Sequence, residues 1–435
     1  MDWREEYKRK LVSADEALKA VKNGDFVSFT TGRESQSLGY ALAGRATELK
    51  GVRIHIQTPG LDFGWYDRDP IWEQAFEIKV GYVFPRGVVR EWIDERRGDY
   101  VPGQIIPFEE RKDLRQMDVL LAEVSPPDEH GFCSFGASVW NKKEQVRAAR
   151  TVIAEVNTNL IRTYGDNFVH VSEIDYFVEY ERTAGWGIKP PAPPAESKPI
   201  ADQVATLVKD GDCVQVGAGS LSESLPSSGV FNNRADLGMH TEMTARGMVR
   251  LVREGVINGK RKQINTGKAV ATAVGGSRED MAYINMNPQF EVYTAAYVVN
   301  PKIICLNDNL LSVNNGLMVD LTGQITAEAI GPRMFSGSGG QPAFAWGANM
   351  SHGGRFVEVL PATASGGTIS RIVPLLPPGT VVTVPRFLAD IVVTEYGIAH
   401  LKGKTIRERA EALIAIAHPD FRAGLRKEAQ RILDM

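Results

Sequence analysis

The chain predicts an α/β protein built from two similar open domains, each with a mostly parallel sheet. Three observations predict it. A helix, turn, strand and loop unit occurs twice at one constant offset, a proline-rich break separates the two copies, and short apolar runs alternate with helical stretches. At 435 residues the chain also exceeds what one ordinary core accommodates, which agrees with two domains.

The first copy of the unit opens at Ser13, with Glu16 three residues on as in a capping box, and apolar residues at helical spacing extend it to Lys22. Asn23-Gly24-Asp25 stops the helix. Phe26–Phe29 then reads as a strand entering the polar turn Thr30–Glu34. In the second copy Ala201-Asp202 repeats Ala14-Asp15, Asp210–Val214 repeats Asn23–Val27, and Gly219 repeats Gly32. Two copies imply two related domains, since a solenoid needs more. Between them, Trp186–Pro199 carries five prolines and reads as a semi-rigid linker. The expected boundaries are therefore residues 1–185, a linker at 186–199, and residues 200–435.

Within the first domain, Met117–Val124 and Val152–Val156 are apolar runs typical of buried parallel strands, with a helical stretch, Lys142–Arg150, between them. The connecting segment Ser125–Gly136 lies at a strand's carboxyl end, where open sheets gather ligands, although a rigid turn would carry the same residues. The second domain supplies three glycine-rich loops: Gly217–Leu221 after the strand at Val214, Ser336–Gln341, and Ala364–Ser370. None has the spacing of a dinucleotide fingerprint or a phosphate loop. Three in one domain point to a ligand with an extended polar arm.

Several classes are excluded by composition. The net charge of −3 arises from 50 basic and 53 acidic residues that are well mixed, so no basic stripe for nucleic acid exists, and Lys260-Arg261-Lys262 reads as solvated surface. The three cysteines, Cys133, Cys213 and Cys305, include no CxxC pair, which argues for a reducing compartment and against a disulfide framework or zinc cage. Cys213 and Cys305 lie in apolar runs that read as strands. No apolar stretch is long enough to span a bilayer, so a cytoplasmic location without a membrane partner is expected. The histidines show no HExxH spacing, and no G-x-S-x-G elbow is present. His240-x-Glu242 lacks the Pro-Cys-x-x-Cys of a zinc deaminase.

Candidates for covalent chemistry thus reduce to a cysteine or a carboxylate, and Glu242 stands out. Met239–Thr241 reads as a strand end and Thr244–Glu254 as a helix, which places Glu242 near a helix N-terminus at a strand's carboxyl end. The pattern leaves two uses open. Such an acid commonly satisfies free backbone N–H groups, and it can also be a catalyst.

Six separated motifs resolve this by resemblance. They are Ser125–Gly136, Ile153–Asn157 with Gly165-Asp166 and His170–Asp175, Gly217-x-Gly219, Leu237–Met243, Gly337–Gln341, and Ile369–Pro374. Together they resemble the acetyl-CoA hydrolase/transferase family, in its 4-hydroxybutyrate CoA-transferase-like branch, over essentially the whole chain. That resemblance implies the two-domain CoA-transferase (NagB/RpiA-like) fold and a ping-pong transfer of coenzyme A between an acyl-CoA and a small carboxylic acid. It implies Glu242 as nucleophile, Gly340 as the amide facing the oxyanion, and Asn300 beside the glutamate. It places Gly217, Ala218, Gly219, Ser220, Leu221, Ser336, Gly340, Gln341 and Ser365 along coenzyme A, with the acyl group near Thr31–Glu34. No permanently bound cofactor and no metal are implied, and a homodimer or larger homo-oligomer is expected. An acyl-CoA hydrolase using the same intermediate and a non-catalytic CoA-binding relative are the alternatives. Two departures from the family pattern, Pro342-Ala343-Phe344 after the Gly-Gly-Gln and Ser220–Ser224 in the first loop, bear on the acyl group, and Phe344 and Trp346 are candidates to line a larger acyl site.

Overall fold

The computed structural model describes residues 2–81, 87–102, 116–182 and 192–433. It divides into two compact units, the first comprising Met1–Trp186, Ala282–Pro288 and Val292–Ala296, the second Gly187–Met281, Gln289–Glu291 and Tyr297–Met435. No proline-rich break marks the two short returns to the first unit. Linker residues 186–191 lie outside the described residues.

The first unit's repeat begins with α1 (Ala14–Leu18), whose N-cap Ser13 accepts through Oγ from the Glu16 N–H at 3.2 Å. It is shorter than the periodicity predicts, because Lys19 onward closes as turns. The strands are β1 (Phe26–Phe29), β2 (Val52–Ile56), β3 (Phe76–Gly81), β4 (Asp99–Val101), β5 (Val119–Val124), β6 (Thr151–Val156) and β7 (Tyr176–Glu179). They form one all-parallel sheet in the order β7-β6-β5-β1-β2-β3-β4. Helix α2 (Lys142–Ala148) makes the crossover between β5 and β6, and both strands are buried as their apolar runs require.

After β5, Ser125–Gly136 is the rigid turn rather than an open ligand loop. Arg162 fastens it, donating to Asp128 Oδ2 and Ser125 Oγ at 2.8 Å each, and Phe132–Ser134 pairs antiparallel with Phe168–His170.

In the second unit α3 (Ser197–Ala205) starts inside the expected linker. Pro199 falls in its first turn, where the missing N–H would have no helical partner in any case. Its strands are β8 (Cys213–Val216), β9 (Gly238–Met243), β10 (Ala269–Ala273), β11 (Leu310–Asn315), β12 (Arg355–Val359), β13 (Ile391–Thr394) and β14 (Gly397–His400). Their order is β14-β13-β12-β11-β8-β9-β10, parallel except for the β13–β14 hairpin.

The constant sequence offset carries β1 onto β8, and the pairing registers extend the match. Val27 pairs with Ile54 and Val119, while Val214 pairs with Met239 and Leu311. Continuing along each strand, His55 corresponds to His240, Ala122 to Asn314, and Ala154 to Glu358.

Two surface and strand expectations are corrected. Lys262 is buried, its stem lying over Gly238 and its ammonium donating to the Met239 and Lys268 carbonyls at 3.0 and 3.1 Å. Cys305 is the C-cap of the short helix α5 (Pro301–Ile304), not a strand residue. Cys133 and Cys213 are buried, which pushes their thiols up to about 12 and about 11 and leaves them unreactive.

Candidate active site

Glu242 is the penultimate residue of β9. The following helix, α4 (Met248–Arg253), begins later than the sequence suggests, because Gly247 takes φ +87° as its N-cap. Glu242 is therefore not a helix-end acid for the helix that follows it. Its carboxylate instead accepts, through Oε2, the N–H of Gly340 at 2.6 Å, from a residue 98 positions away. Gly340 is the N-cap of α6 (Gln341–Met350), so the carboxylate meets the positive end of that helix.

Only glycine fits there. A Cβ at Gly340 would run into Glu242 Oε2 and stand 2.9 Å from Val299 Cγ1. The neighbouring loop has a comparable demand, since Gly219 has φ +150° and a Cβ there would stand 3.0 Å from Asn315 Cβ. This loop leaves β8, the strand paired with β9, so Gly217–Leu221 and Glu242 emerge at the same end of the sheet.

Burial pushes the Glu242 carboxyl up to about 7, and the Gly340 N–H pulls it back only partly. The residue as a whole is only partly buried. Among the described residues no cation acts on it. His240, two residues earlier on the same face, is fully buried and driven down to about 3, so it stays neutral. The Val298 carbonyl, 2.9 Å from His240 Nε2, requires that nitrogen to carry the proton. His240 thereby anchors the segment that brings Val299 against Gly340, and it is no general base.

The remaining residues differ in what their side chains face. Ala218 and Ser220 are exposed on the first loop, whereas Leu221 is buried at 2% exposure, so its side chain belongs to the core. Ser336 is buried, its hydroxyl donating to the Gly337 carbonyl at 3.1 Å, and Ser365 stands in an exposed hairpin turn with φ +50°. Asn300 caps α5, accepting the Lys302 N–H at 3.0 Å through Oδ1, and makes no hydrogen bond to Glu242 among the described residues. Gln341 points inward, its Nε2 donating to Glu358 Oε2 at 2.7 Å. Phe344 is fully buried beside His240 and is core, while Trp346 is half exposed and packs on Phe387.

Sequence reasoning missed Glu358. A signal for it existed, a single acid among the apolar residues Phe356, Val357 and Val359 of one strand. Among the described residues no group of three or more His, Cys, Asp or Glu could hold a metal ion, and no helix is long and apolar enough to cross a membrane.

A carboxylate of raised basicity, with an amide aimed at its Oε2 from a helix N-terminus, is equipped to attack an acyl carbon and, once acylated, to have an oxyanion at Oε2 held when a nucleophile adds to its own carboxyl carbon. Residues 1–184 match the acetyl-CoA hydrolase/transferase N-terminal domain and residues 276–429 its C-terminal domain. The 4-hydroxybutyrate coenzyme A transferase of Clostridium kluyveri is 40% identical over 434 residues, spanning 99% of this chain and 100% of that protein. The succinyl-CoA:cyclohexane-1-carboxylate CoA transferase of Geobacter metallireducens is 39% identical over 99% of this chain and 97% of its own. The crystal structure of RipA from Yersinia pestis superposes with a TM-score of 0.91 at 33% identity, covering 100% of both chains. The chain belongs to the acetyl-CoA hydrolase/transferase family.

Proposed function

We propose that the protein transfers coenzyme A between an acyl-CoA and a free carboxylic acid through a glutamyl-CoA thioester on Glu242. The observation that carries this reading is the Gly340 N–H on Glu242 Oε2 at 2.6 Å.

Attack by Oε1 of Glu242 on the thioester carbonyl expels the CoA thiolate and forms a mixed anhydride. The thiolate then attacks Cδ of Glu242, the donor acid leaves with Oε1, and the thioester remains on the enzyme. In that second addition the developing oxyanion is Oε2, which already accepts the Gly340 N–H, so its donor needs no reorganisation. The acceptor acid reverses both steps. A carboxylate suits this exchange because its anhydride with another carboxylate is activated comparably to a thioester. It is a poor nucleophile, so binding energy from the remote parts of coenzyme A must bring the ends together. Gly217, Ala218, Gly219 and Ser220 on the first loop, with Ser336, supply backbone and small polar groups for that contact.

Relatives named as CoA transferases over the whole chain support transfer over hydrolysis. A homodimer in the cytoplasm remains part of the same reading. Incubation with an acyl-CoA, followed by digestion, should yield a peptide containing Glu242 with CoA attached; an unmodified peptide together with unimpaired turnover in Glu242→Gln would contradict it. Thiol release without any carboxylic acid present separates the two activities, and rapid release would favour the hydrolase. Glu242 must be ionised to attack, so kcat/KM should rise with pH through about 7 and level off above it.

A further inference from the structure

Glu358 is a fully buried acid at 0% exposure in β12. Among the described residues its only hydrogen bond is the one its Oε2 accepts from Gln341 Nε2 at 2.7 Å, and its Oε1 is buried without a partner there. The groups packed around it are Asn314 across the β11–β12 pairing, Gln341 from α6, and Gly316, where an added Cβ would stand 2.7 Å from Oε1. Burying such a group is expensive unless something is gained.

The fold itself does not ask for it. At the matched position of the first sheet the residue is Ala154, also fully buried, and Asn314 is matched by Ala122. The polar pair belongs to the sheet that carries Glu242. What Glu358 holds is the side chain of Gln341, the first residue of α6 and the neighbour of Gly340. With Pro342 next in line, this turn has few other anchors: Gln341 N–H bonds to the Ser338 carbonyl at a long 3.3 Å.

We propose that Glu358 is a positioning residue for the transfer reaction: through Gln341 it holds the start of α6 so that the Gly340 N–H stays aimed at Glu242. This rests on the reading of Glu242 given above. Burial pushes the Glu358 carboxyl up to about 8, countered only by Gln341, so near neutral pH it is a carboxylic acid, a role that a carboxamide can fill.

Rapid-quench measurement of CoA attachment to Glu242 tests it, together with hydrogen exchange of the segment containing Gly340. Glu358→Leu should slow attachment by about a hundredfold with little change in the KM for acyl-CoA. The same variant should raise exchange at Gly340 by about tenfold. Glu358→Gln, whose amide oxygen can still accept from Gln341, should keep both near their original values. If Glu358→Leu does not fold, Gln341→Leu removes the same bond from the other side and carries the same expectation. Attachment and exchange unchanged in the leucine variant would overturn the inference, as would a glutamine variant as impaired as the leucine one. Hydrogen exchange judges Glu358 independently of chemistry. Absence of any adduct in the unaltered protein would overturn the Glu242 reading alone.

Discussion

The two parallel sheets share strand order and register, yet they spend their buried polar residues differently. In the first, Glu123 and Glu155 face each other across β5 and β6 and are fully engaged. Arg33 meets Glu123 at 2.9 Å, Asn157 donates to it at 2.9 Å, and Ser37 donates to Glu155 through both N–H and hydroxyl at 2.6 Å. In the second, those positions are Asn315 and Val359, and the acid moves one residue back to Glu358, with a single hydrogen-bond partner among the described residues. Counting three residues on from the matched pair Ile54 and Met239, the counterpart of Glu242 in the first sheet is Gln57, which cannot ionise. A saturated cluster stabilises and orients; an under-satisfied acid beside a glycine amide is left available for chemistry.

Breaking this asymmetry should have graded effects. The largest belongs to Glu242→Gln, which makes the second sheet resemble the first and should lower kcat/KM by at least about ten-thousandfold, read from steady-state transfer. Gly340→Ala comes next. Its methyl would displace Glu242 or Val299 and spoil the amide donor to Oε2, for a loss of about a hundredfold to a thousandfold in kcat. Moving the second sheet's acid into the first is a stability experiment: Ala154→Glu would bury a carboxyl with no Gln341 to meet it, and should cost about 3 kcal/mol in urea unfolding. The smallest effect concerns the two repeat helices. Ser13 caps α1 whereas Glu196 makes no side-chain cap for α3, so Ser13→Ala should cost about 1 kcal/mol and Glu196→Ala almost nothing.

The shared architecture, more than the asymmetry, is legible in the sequence. The register between Ala14 and Gly32 and its second copy is a local property of turns and strand entries, and it foretold matched sheets because Gly-Asp turns and apolar runs dictate backbone directly. The glycines at 217, 219 and 340 were legible for the same reason. What stayed hidden depends on contacts between distant segments. Glu242 and Gly340 are 98 residues apart, so spacing alone pointed Glu242 to the helix that follows rather than to α6. Gln341 turns inward because Glu358 waits there, and Asn300 spends its Oδ1 on a helix cap because Pro301 starts a helix directly after it. Lys262 reads as surface because it ends a run of three cations whose first two, Lys260 and Arg261, are indeed exposed, yet residues of one run need not share one environment, and a long stem over Gly238 buries this one.

Oxygen exchange at Glu242 tests the central claim most directly. During turnover with an acyl-CoA and a carboxylic acid labelled with heavy oxygen, in ordinary water, the acceptor's oxygen must pass through the anhydride. One heavy atom should appear in the Glu242 carboxylate, read as the mass of its peptide. Turnover that leaves the Glu242 peptide unlabelled would contradict the account.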